Sequence, residues 1–164
     1  MNSELYVFFA FGMILCAGME FGGSHYQYQM AMLTIRSGGV RVKRKNARKH
    51  DTYPLWDRLL LLSLLRTCRQ DRFSAGLLFT GNLLSLAGFL FCVILSVLGA
   101  AFGKRLFLWI AGSVILVMVA FTVLFCETLD IGGKSKRYAM ETPLEILAMA
   151  CVAGLLAWMK YLGA

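Results

Sequence analysis

The pattern of apolar and polar positions is dominated by residues 75–126. Two charge-free apolar runs, AGLLFTGNLLSLAGFLFCVILSVLGAAF and LFLWIAGSVILVMVAFTVLFC, are separated only by Gly103, Lys104 and Arg105. A hydrocarbon core of roughly 30 Å is crossed by about 20 helical residues, and a helix satisfies its backbone hydrogen bonds internally in lipid. The pattern therefore predicts a transmembrane helical hairpin with spans at about 75–102 and 104–130.

A further apolar run lies near the beginning of the chain, at about 5–22, and a single acid, Glu20, interrupts it. The run lacks the positive n-region and the cleavage site of a signal peptide, so it is interpreted as a membrane helix. The glycines at 22 and 23 predict that the helix ends there. His25 and the aromatic residues beside it would then lie at the headgroups.

The start of a fourth span is indicated by Thr142-Pro143-Leu144-Glu145. Thr142 as N-cap and Glu145 three positions later form a capping box, and proline suits the first helical position. The apolar residues that follow predict a span at about 143–161. The fold class is thus an all-α membrane protein with four transmembrane helices in one multi-pass domain, residues 1–164.

A shorter helix is predicted between the first two spans, at about 54–71, with the sequence PLWDRLLLLSLLRTCRQD. Its apolar middle is too short to cross a bilayer, and its leucines surround the helix instead of forming one stripe. Charged residues flank that middle on both sides. We expect a cytoplasmic or interfacial helix whose arginine stems reach toward the headgroups.

Charge gives the expected orientation. Only 16% of the residues are charged, against roughly 25% in soluble domains, and the net charge is +8. Most of the 17 Lys and Arg residues lie between Arg36 and Arg72. Because short loops rich in Lys and Arg stay in the cytoplasm, residues 23–74 are predicted to be a cytoplasmic loop of a cell-membrane protein, with both termini outside.

The densest basic stretch is also a candidate docking surface. Cations beside a membrane helix attract anionic lipid by about 1 kcal/mol each. Three alternatives remain open: the charges only fix orientation, they dock on an acidic protein, or they bind anionic phospholipid. Nucleic acid is disfavoured because the aromatic residues of a stacking surface are missing. The candidate docking residues are Arg36, Arg41, Lys43, Arg44, Lys45, Arg48 and Lys49.

Small residues four apart predict where helices approach one another closely. Such pairs occur at the end of the first span and repeatedly along the second. We expect these faces to be buried against other helices of the chain or of a partner. The predicted packing positions are Gly18, Gly22, Gly81, Ser85, Gly88, Gly99 and Gly154.

Two polar residues stand out within the apolar runs, Glu20 and Asn82. A carboxylate at membrane depth is costly and by default suggests an ion or proton role; the alternative is an interfacial acid paired with loop arginines. Asn82 is expected to hydrogen-bond across helices, for about 0.6 kcal/mol on average, with solute binding as its alternative.

No other constellation predicts chemistry. The five cysteines are scattered singly, without a CxxC or Cys/His cluster, so neither a zinc site nor a disulfide framework is indicated. His25 and His50 lack a visible partner ligand for haem or metal. No catalytic motif is present. We therefore predict no cofactor and no metal, and a membrane enzyme stays a reserve hypothesis.

Two functional hypotheses follow from these residues. In the first, the chain is a small subunit that packs into a larger membrane assembly, with its polybasic loop as the docking surface and other subunits or copies of itself as partners. In the second, it is a small homo-oligomeric channel or transporter that uses Glu20 and Asn82. The two hypotheses differ in whether Glu20 serves a polar path or lies beside an arginine or the headgroups.

Overall fold

The computed structural model describes residues 3–36, 72–128 and 143–163, and all of them are helical except the turn at Gly103 and Lys104. Helix bounds are close to the predicted ones for three of the four spans. The helices are α1 (Ser3–Arg36), α2 (Arg72–Phe102), α3 (Arg105–Thr128) and α4 (Pro143–Gly163).

Each of the four helices is long and apolar enough to cross a membrane, which confirms the prediction of an all-helical chain with four such elements. Their outer faces carry large apolar side chains: Phe11, Leu106 and Val117 are 62%, 66% and 66% exposed. Exposed apolar surface on this scale is unusual for a protein in water. The candidate spans are Ser3–Gln29, Leu78–Phe102, Arg105–Thr122 and Leu144–Gly163.

Helix α1 differs from the prediction because it continues well beyond residue 22, to Arg36. Glycine costs a helix only about 1 kcal/mol relative to alanine, and contacts after the glycines offset that cost. His25 hydrogen-bonds to Asn82, and Tyr28 is fully buried. The predicted interfacial helix at about 54–71 lies outside the described residues.

The turn between α2 and α3 is as short as the sequence indicates. Gly103 has a φ of +60°, a left-handed conformation that glycine adopts without a Cβ penalty. The Lys104 N–H donates to the Gly99 carbonyl at 3.2 Å. This six-to-one bond is the Schellman motif, which satisfies a carbonyl at the end of α2, and α3 begins at Arg105.

The chain divides into two compact units. Unit 1 comprises Met1–Gly23, Ser85–Phe121 and Thr142–Ala164. Unit 2 comprises Ser24–Leu84 and Thr122–Glu141.

In unit 1 the four helices pack in a ring. Phe21 on α1 stacks on Phe89 of α2, with ring centroids 5.4 Å apart. Gly88 on α2 faces Met118 of α3. Helix α3 packs on α4, where Gly112 lies against Leu156. Helix α4 packs on α1, where Leu155 lies against Gly12, and this contact closes the ring. The core between the helices includes Phe9, Met13, Cys92, Leu108, Ile115 and Val152.

In unit 2 the described residues pair the second half of α1 with the first half of α2. A Cβ at Gly81 would lie 3.0 Å from the Tyr28 ring, so the glycine allows the tyrosine to lie directly on α2. Leu78 is fully buried one turn earlier. The close approach places polar side chains of both helices within hydrogen-bonding distance.

Candidate functional site

Glu20 is a buried acid in the interior of unit 1. It lies in the α1 span and is 0% exposed. Neither of its carboxylate oxygens has a hydrogen-bond partner among the described residues. An ionised carboxylate buried without a partner costs several kcal/mol, so this side chain is the first candidate for function in the chain.

Glu145 is the second acid of the site. It is the third residue of α4 and only 2% exposed, and it is close enough to Glu20 for the two carboxyl groups to interact electrostatically. The sequence predicted Glu145 as part of a helix cap. The structure adds that it faces the interior of unit 1 together with Glu20. We call these two residues the acid pair.

The packing of α1 on α4 explains why the acids meet. Phe9 lies against Trp158, with ring centroids 5.7 Å apart, and the Cys16 thiol lies beside the Cys151 thiol. A move of about two turns forward along α1, from Phe9 to Cys16, thus corresponds to a move of about two turns backward along α4, from Trp158 to Cys151. Continuing this antiparallel register by one more turn brings Glu20 to the first turns of α4.

The same register gives the position of the two acids along the bundle. At 1.5 Å per residue, Glu20 and Glu145 both lie about 25 Å along their helices from the end at which α1 begins and α4 ends. Glu20 lies within the candidate span Ser3–Gln29, and Glu145 lies at the beginning of the candidate span Leu144–Gly163. Helical side chains lean toward the helix N-terminus, which directs Glu20 toward the beginning of α1.

Helix α2 contributes two further buried polar side chains beside the acid pair, Cys92 and Ser96. Glu20 also interacts electrostatically with Cys92, whose thiol donates to the Ala111 carbonyl at 3.6 Å. Ser96, one turn further along α2, is fully buried, and its hydroxyl has no partner among the described residues. Polar atoms thus extend from the acid pair along the buried face of α2.

The part of the chain that the structure describes contains no group of three or more His, Cys, Asp or Glu residues suited to a metal ion. Helix α3 contributes no charged side chain between residues 106 and 122. Helix α3 therefore adds no charge beside the acid pair over these residues.

Asn82, the other predicted polar residue, lies in unit 2 and is fully buried. Its Oδ1 is 2.7 Å from His25 Nδ1, and Gln29 Nε2 is 2.9 Å from His25 Nε2. Both distances fit a neutral imidazole that donates from Nδ1 and accepts at Nε2. We call these three residues the imidazole network.

The remaining predicted packing positions occupy different environments. Gly88 and Gly99 leave room for Met118 and Leu108, and Gly18 lies near Phe89. Ser85 is buried. Gly22 and Gly154 have no atom within 4 Å of a Cβ built on them.

The predicted docking residues fall almost entirely outside the described ranges. Arg36 is the last residue of α1, and the candidates from Arg41 to Lys49 are not among the described residues.

Glu145 could have been identified earlier had the register of α1 on α4 been known. In the sequence, Glu145 lies three residues after Thr142, which is the pattern of a helix N-cap. That pattern does not indicate which residue of α1 faces Glu145. Comparisons of the chain with family models, with curated proteins and with solved structures found no match.

Proposed function

We propose that this chain is a small membrane transport protein, a channel or carrier, in which Glu20 and Glu145 bind the transported ion. The observation that carries the proposal is the complete burial of Glu20, with both carboxylate oxygens unpartnered among the described residues. Ionisable side chains inside membrane spans typically mark ion pathways and proton relays.

The burial of Glu20 and Glu145 favours a bound ion. Two carboxylates in an apolar bundle repel each other and lose their hydration, and each loss costs several kcal/mol. A neighbouring arginine or lysine would offset this cost, but no such side chain contacts Glu20 among the described residues. A bound cation or proton restores the balance, and its exchange with the solvent would be transport.

The surroundings of the acid pair support a path. We propose that the pair lies near one edge of the hydrocarbon core, and Cys92 and Ser96 continue the buried polar atoms from there along α2. We propose that this edge faces the cytoplasm. That orientation follows from the basic segment 23–74 and puts both termini outside.

The test is ion flux into proteoliposomes that contain the purified full chain. Ion-sensitive dyes inside the vesicles follow H⁺, Na⁺ and K⁺ separately under an imposed potential. Glu20→Gln keeps the size of the side chain and removes its charge. We expect it to reduce flux to the level of protein-free vesicles.

The matched control is Glu4→Gln, the same substitution in the first turn of the same helix at an exposed position. We expect it to retain flux, and Glu145→Gln to behave like Glu20→Gln. Wild-type flux in Glu20→Gln, or no flux of any of these ions in the wild type, would contradict the proposal.

A second candidate, a subunit of a larger membrane assembly, is favoured by one observation on α4. A Cβ built on Gly154 would meet no atom of the described residues within 4 Å. The small residues on this side of α4 are exposed: Ala150, Ala153, Gly154 and Ala157. Small residues in a span allow another helix to approach. The polybasic loop would then dock on an acidic or lipid surface.

Native mass measurement after purification in mild detergent tests this candidate. A partner or second copy at fixed stoichiometry that is lost in Gly154→Leu, but retained in the control Ala120→Leu on exposed α3 surface, would support it. Charge reversal at Arg44 and Lys45 should weaken the same complex if the loop docks. A monomer in all variants would exclude an assembly through this face.

A further inference from the structure

We propose that the end of unit 1 at which α1 begins and α4 ends binds the phosphate headgroup of an anionic phospholipid. Three cations form the site, Lys104, Arg105 and Lys160, which we call the cationic cluster. Neither Glu20 nor Glu145 takes part in it, so binding of the lipid does not depend on the proposed transport. The cluster is also separate in the chain from the basic residues 36–49.

The packing of α3 on α4 brings two of the cations to one place. The Arg105 guanidinium lies directly against Gly163, in the last turn of α4. Two turns further along α3, Gly112 lies against Leu156. Lys160 is four residues after Leu156 and three before Gly163, and residues three or four apart share a helix face. Lys160 is therefore on the side of α4 that packs on α3, within one turn of the contact with Arg105.

The turn between α2 and α3 adds the third cation. Lys104 directly precedes Arg105, and its N–H donates to the Gly99 carbonyl at 3.2 Å, which holds the backbone of the turn. Arg105 is half-buried and lies where the carbonyl end of α4 favours a cation. The side chains of Lys104 and Lys160 are exposed, so both are available to an anion from the surroundings.

Positive charge exceeds negative charge at this end of unit 1. Residues 3–9, 99–108 and 157–163 contain the three cations and one acid, Glu4. That acid is exposed in the first turn of α1, and it can neutralise at most one cation. Cations at the end of a membrane helix attract anionic headgroups, and each further cation strengthens the attraction. Lysine and arginine are also the side chains that bind phosphate oxygens most strongly.

The cluster lies where the headgroups of a bilayer begin. All four candidate spans have one end here: Ser3–Gln29, Leu78–Phe102, Arg105–Thr122 and Leu144–Gly163. Large apolar side chains beside the cluster are exposed, namely Phe102, Leu106 and Tyr161. A phospholipid covers both kinds of group, because its phosphate meets the cations and its acyl chains meet the apolar side chains. A free anion would leave the apolar side chains uncovered.

Quenching of tryptophan fluorescence by brominated lipids tests the site in the full chain. Trp109 is half-buried one turn after Arg105, so it reports on lipid beside the cationic cluster. In the variant Trp56→Phe/Trp158→Phe it is the only tryptophan. The protein is placed in nanodiscs of phosphatidylcholine that contain a minor fraction of brominated phosphatidylglycerol. A parallel sample contains the same fraction of brominated phosphatidylcholine.

We expect the anionic lipid to associate at Trp109 more strongly than the zwitterionic lipid, by about fivefold for each cation that contributes. Lys104→Gln and Lys160→Gln each change an exposed side chain and should each lower this preference by about fivefold. Lys160→Arg keeps the charge and should keep the preference. Circular dichroism checks that the helices are retained. A preference that is unchanged in Lys104→Gln/Lys160→Gln would overturn the proposal.

The matched control moves the reporter and leaves the charges in place. In Trp56→Phe/Trp109→Phe the remaining tryptophan is Trp158, two residues before Lys160 on α4. Its ring lies against Phe9 of α1, with centroids 5.7 Å apart, and so on a different side of α4 from α3. We expect little preference for the anionic lipid at Trp158. An equal preference at both tryptophans would mean general attraction to a basic protein and would overturn a site at the cationic cluster.

Inorganic phosphate distinguishes a lipid from a free anion. Sodium phosphate and sodium chloride are compared at equal ionic strength, because both salts screen charge. A lipid site predicts the same effect of the two salts on the quenching of Trp109. Loss of the preference in phosphate alone would show that the cluster binds the free anion, and the lipid proposal would be overturned.

Discussion

The acid pair of unit 1 and the imidazole network of unit 2 are both polar groups in candidate membrane spans, buried or half-buried, yet they differ in their hydrogen-bond partners. Asn82 and Gln29 occupy both nitrogens of His25 at 2.7 and 2.9 Å. Both oxygens of Glu20 lack a hydrogen-bond partner among the described residues. His25 thus has a partner at each ring nitrogen, whereas the carboxyl group of Glu20 has none among the described residues.

This difference in hydrogen-bond partners predicts opposite effects of the two groups on the free energy of unfolding. A buried hydrogen bond that is made contributes modestly, whereas a buried group left without a partner costs roughly 1–3 kcal/mol. A chain built only for packing would replace the costly acid with an apolar residue of similar size. The acid pair is thus expected to cost stability and provide function, and the imidazole network to do the opposite.

The largest expected effect is at Glu20. Glu20→Met keeps the approximate length of the side chain and removes the unpartnered carboxyl, so we expect it to abolish flux while raising the free energy of unfolding by about 1–3 kcal/mol. Flux is measured in proteoliposomes and stability by reversible unfolding in mixed micelles. Stabilised proteins that lose activity in this way are a known trade-off.

The control for this prediction is Glu4→Met, where the carboxyl group is exposed. Its stability should change by less than about 0.5 kcal/mol, as for most surface substitutions. If Glu20→Met destabilises the protein while Glu4→Met does not, Glu20 has a partner that stabilises it, and the contrast between the two units is wrong.

The next effect has the opposite sign and belongs to unit 2. Asn82→Leu keeps the shape of the side chain but leaves the His25 Nδ1–H without its acceptor. We expect a loss of about 1–2 kcal/mol of unfolding free energy, with flux retained. A loss of flux as complete as in Glu20→Met would instead assign Asn82 to the transport path, as the sequence-based alternative held.

A smaller effect is expected for the coupling energy between His25 and Asn82. His25→Phe removes the imidazole, so the double variant His25→Phe/Asn82→Leu leaves no donor orphaned between the two side chains. The coupling energy should be near the 0.6 kcal/mol average for hydrogen bonds between membrane helices. Additive destabilisation, without coupling, would mean that the 2.7 Å contact contributes nothing specific.

The sequence predicted the four apolar helices because each depends on a local property, a long run without charge. It also indicated the short turn at Gly103, where the chain needs a left-handed residue. The extension of α1 past Gly22 could not be predicted in the same way. Its support comes from contacts with α2 more than fifty residues away, such as His25 with Asn82.

In the candidate site, too, the sequence could identify a residue from its immediate neighbours in the chain but not from contacts with a distant helix. Glu20 could be selected from the sequence because an acid within an apolar run is a local anomaly. Its partner could not, because Glu145 fits a capping box, and a cap accounts for the residue without any neighbour. Only the register of α1 on α4 brings the two carboxyl groups together, and register is set by the packing of side chains.

The smallest expected effect on stability tests that register directly. The Cys16 and Cys151 thiols lie side by side across α1 and α4. Cys16 is one turn from Glu20, and Cys151 is between one and two turns from Glu145. In a variant whose other cysteines, Cys68, Cys92 and Cys126, are replaced by alanine, mild oxidation with diamide should remove one hydrogen from each thiol. The disulfide that forms would protect both cysteines from later alkylation.

The matched control keeps Cys16 and Cys92 instead, since the Cys92 thiol is directed to the Ala111 carbonyl. It should remain open to alkylation after the same treatment. Because the helices are already in contact, the disulfide in the first variant should change neither flux nor the unfolding midpoint by much. Cross-linking in the control but not in the Cys16 and Cys151 variant would mean that α1 meets α4 in another register. The acids at 20 and 145 would then not form a pair.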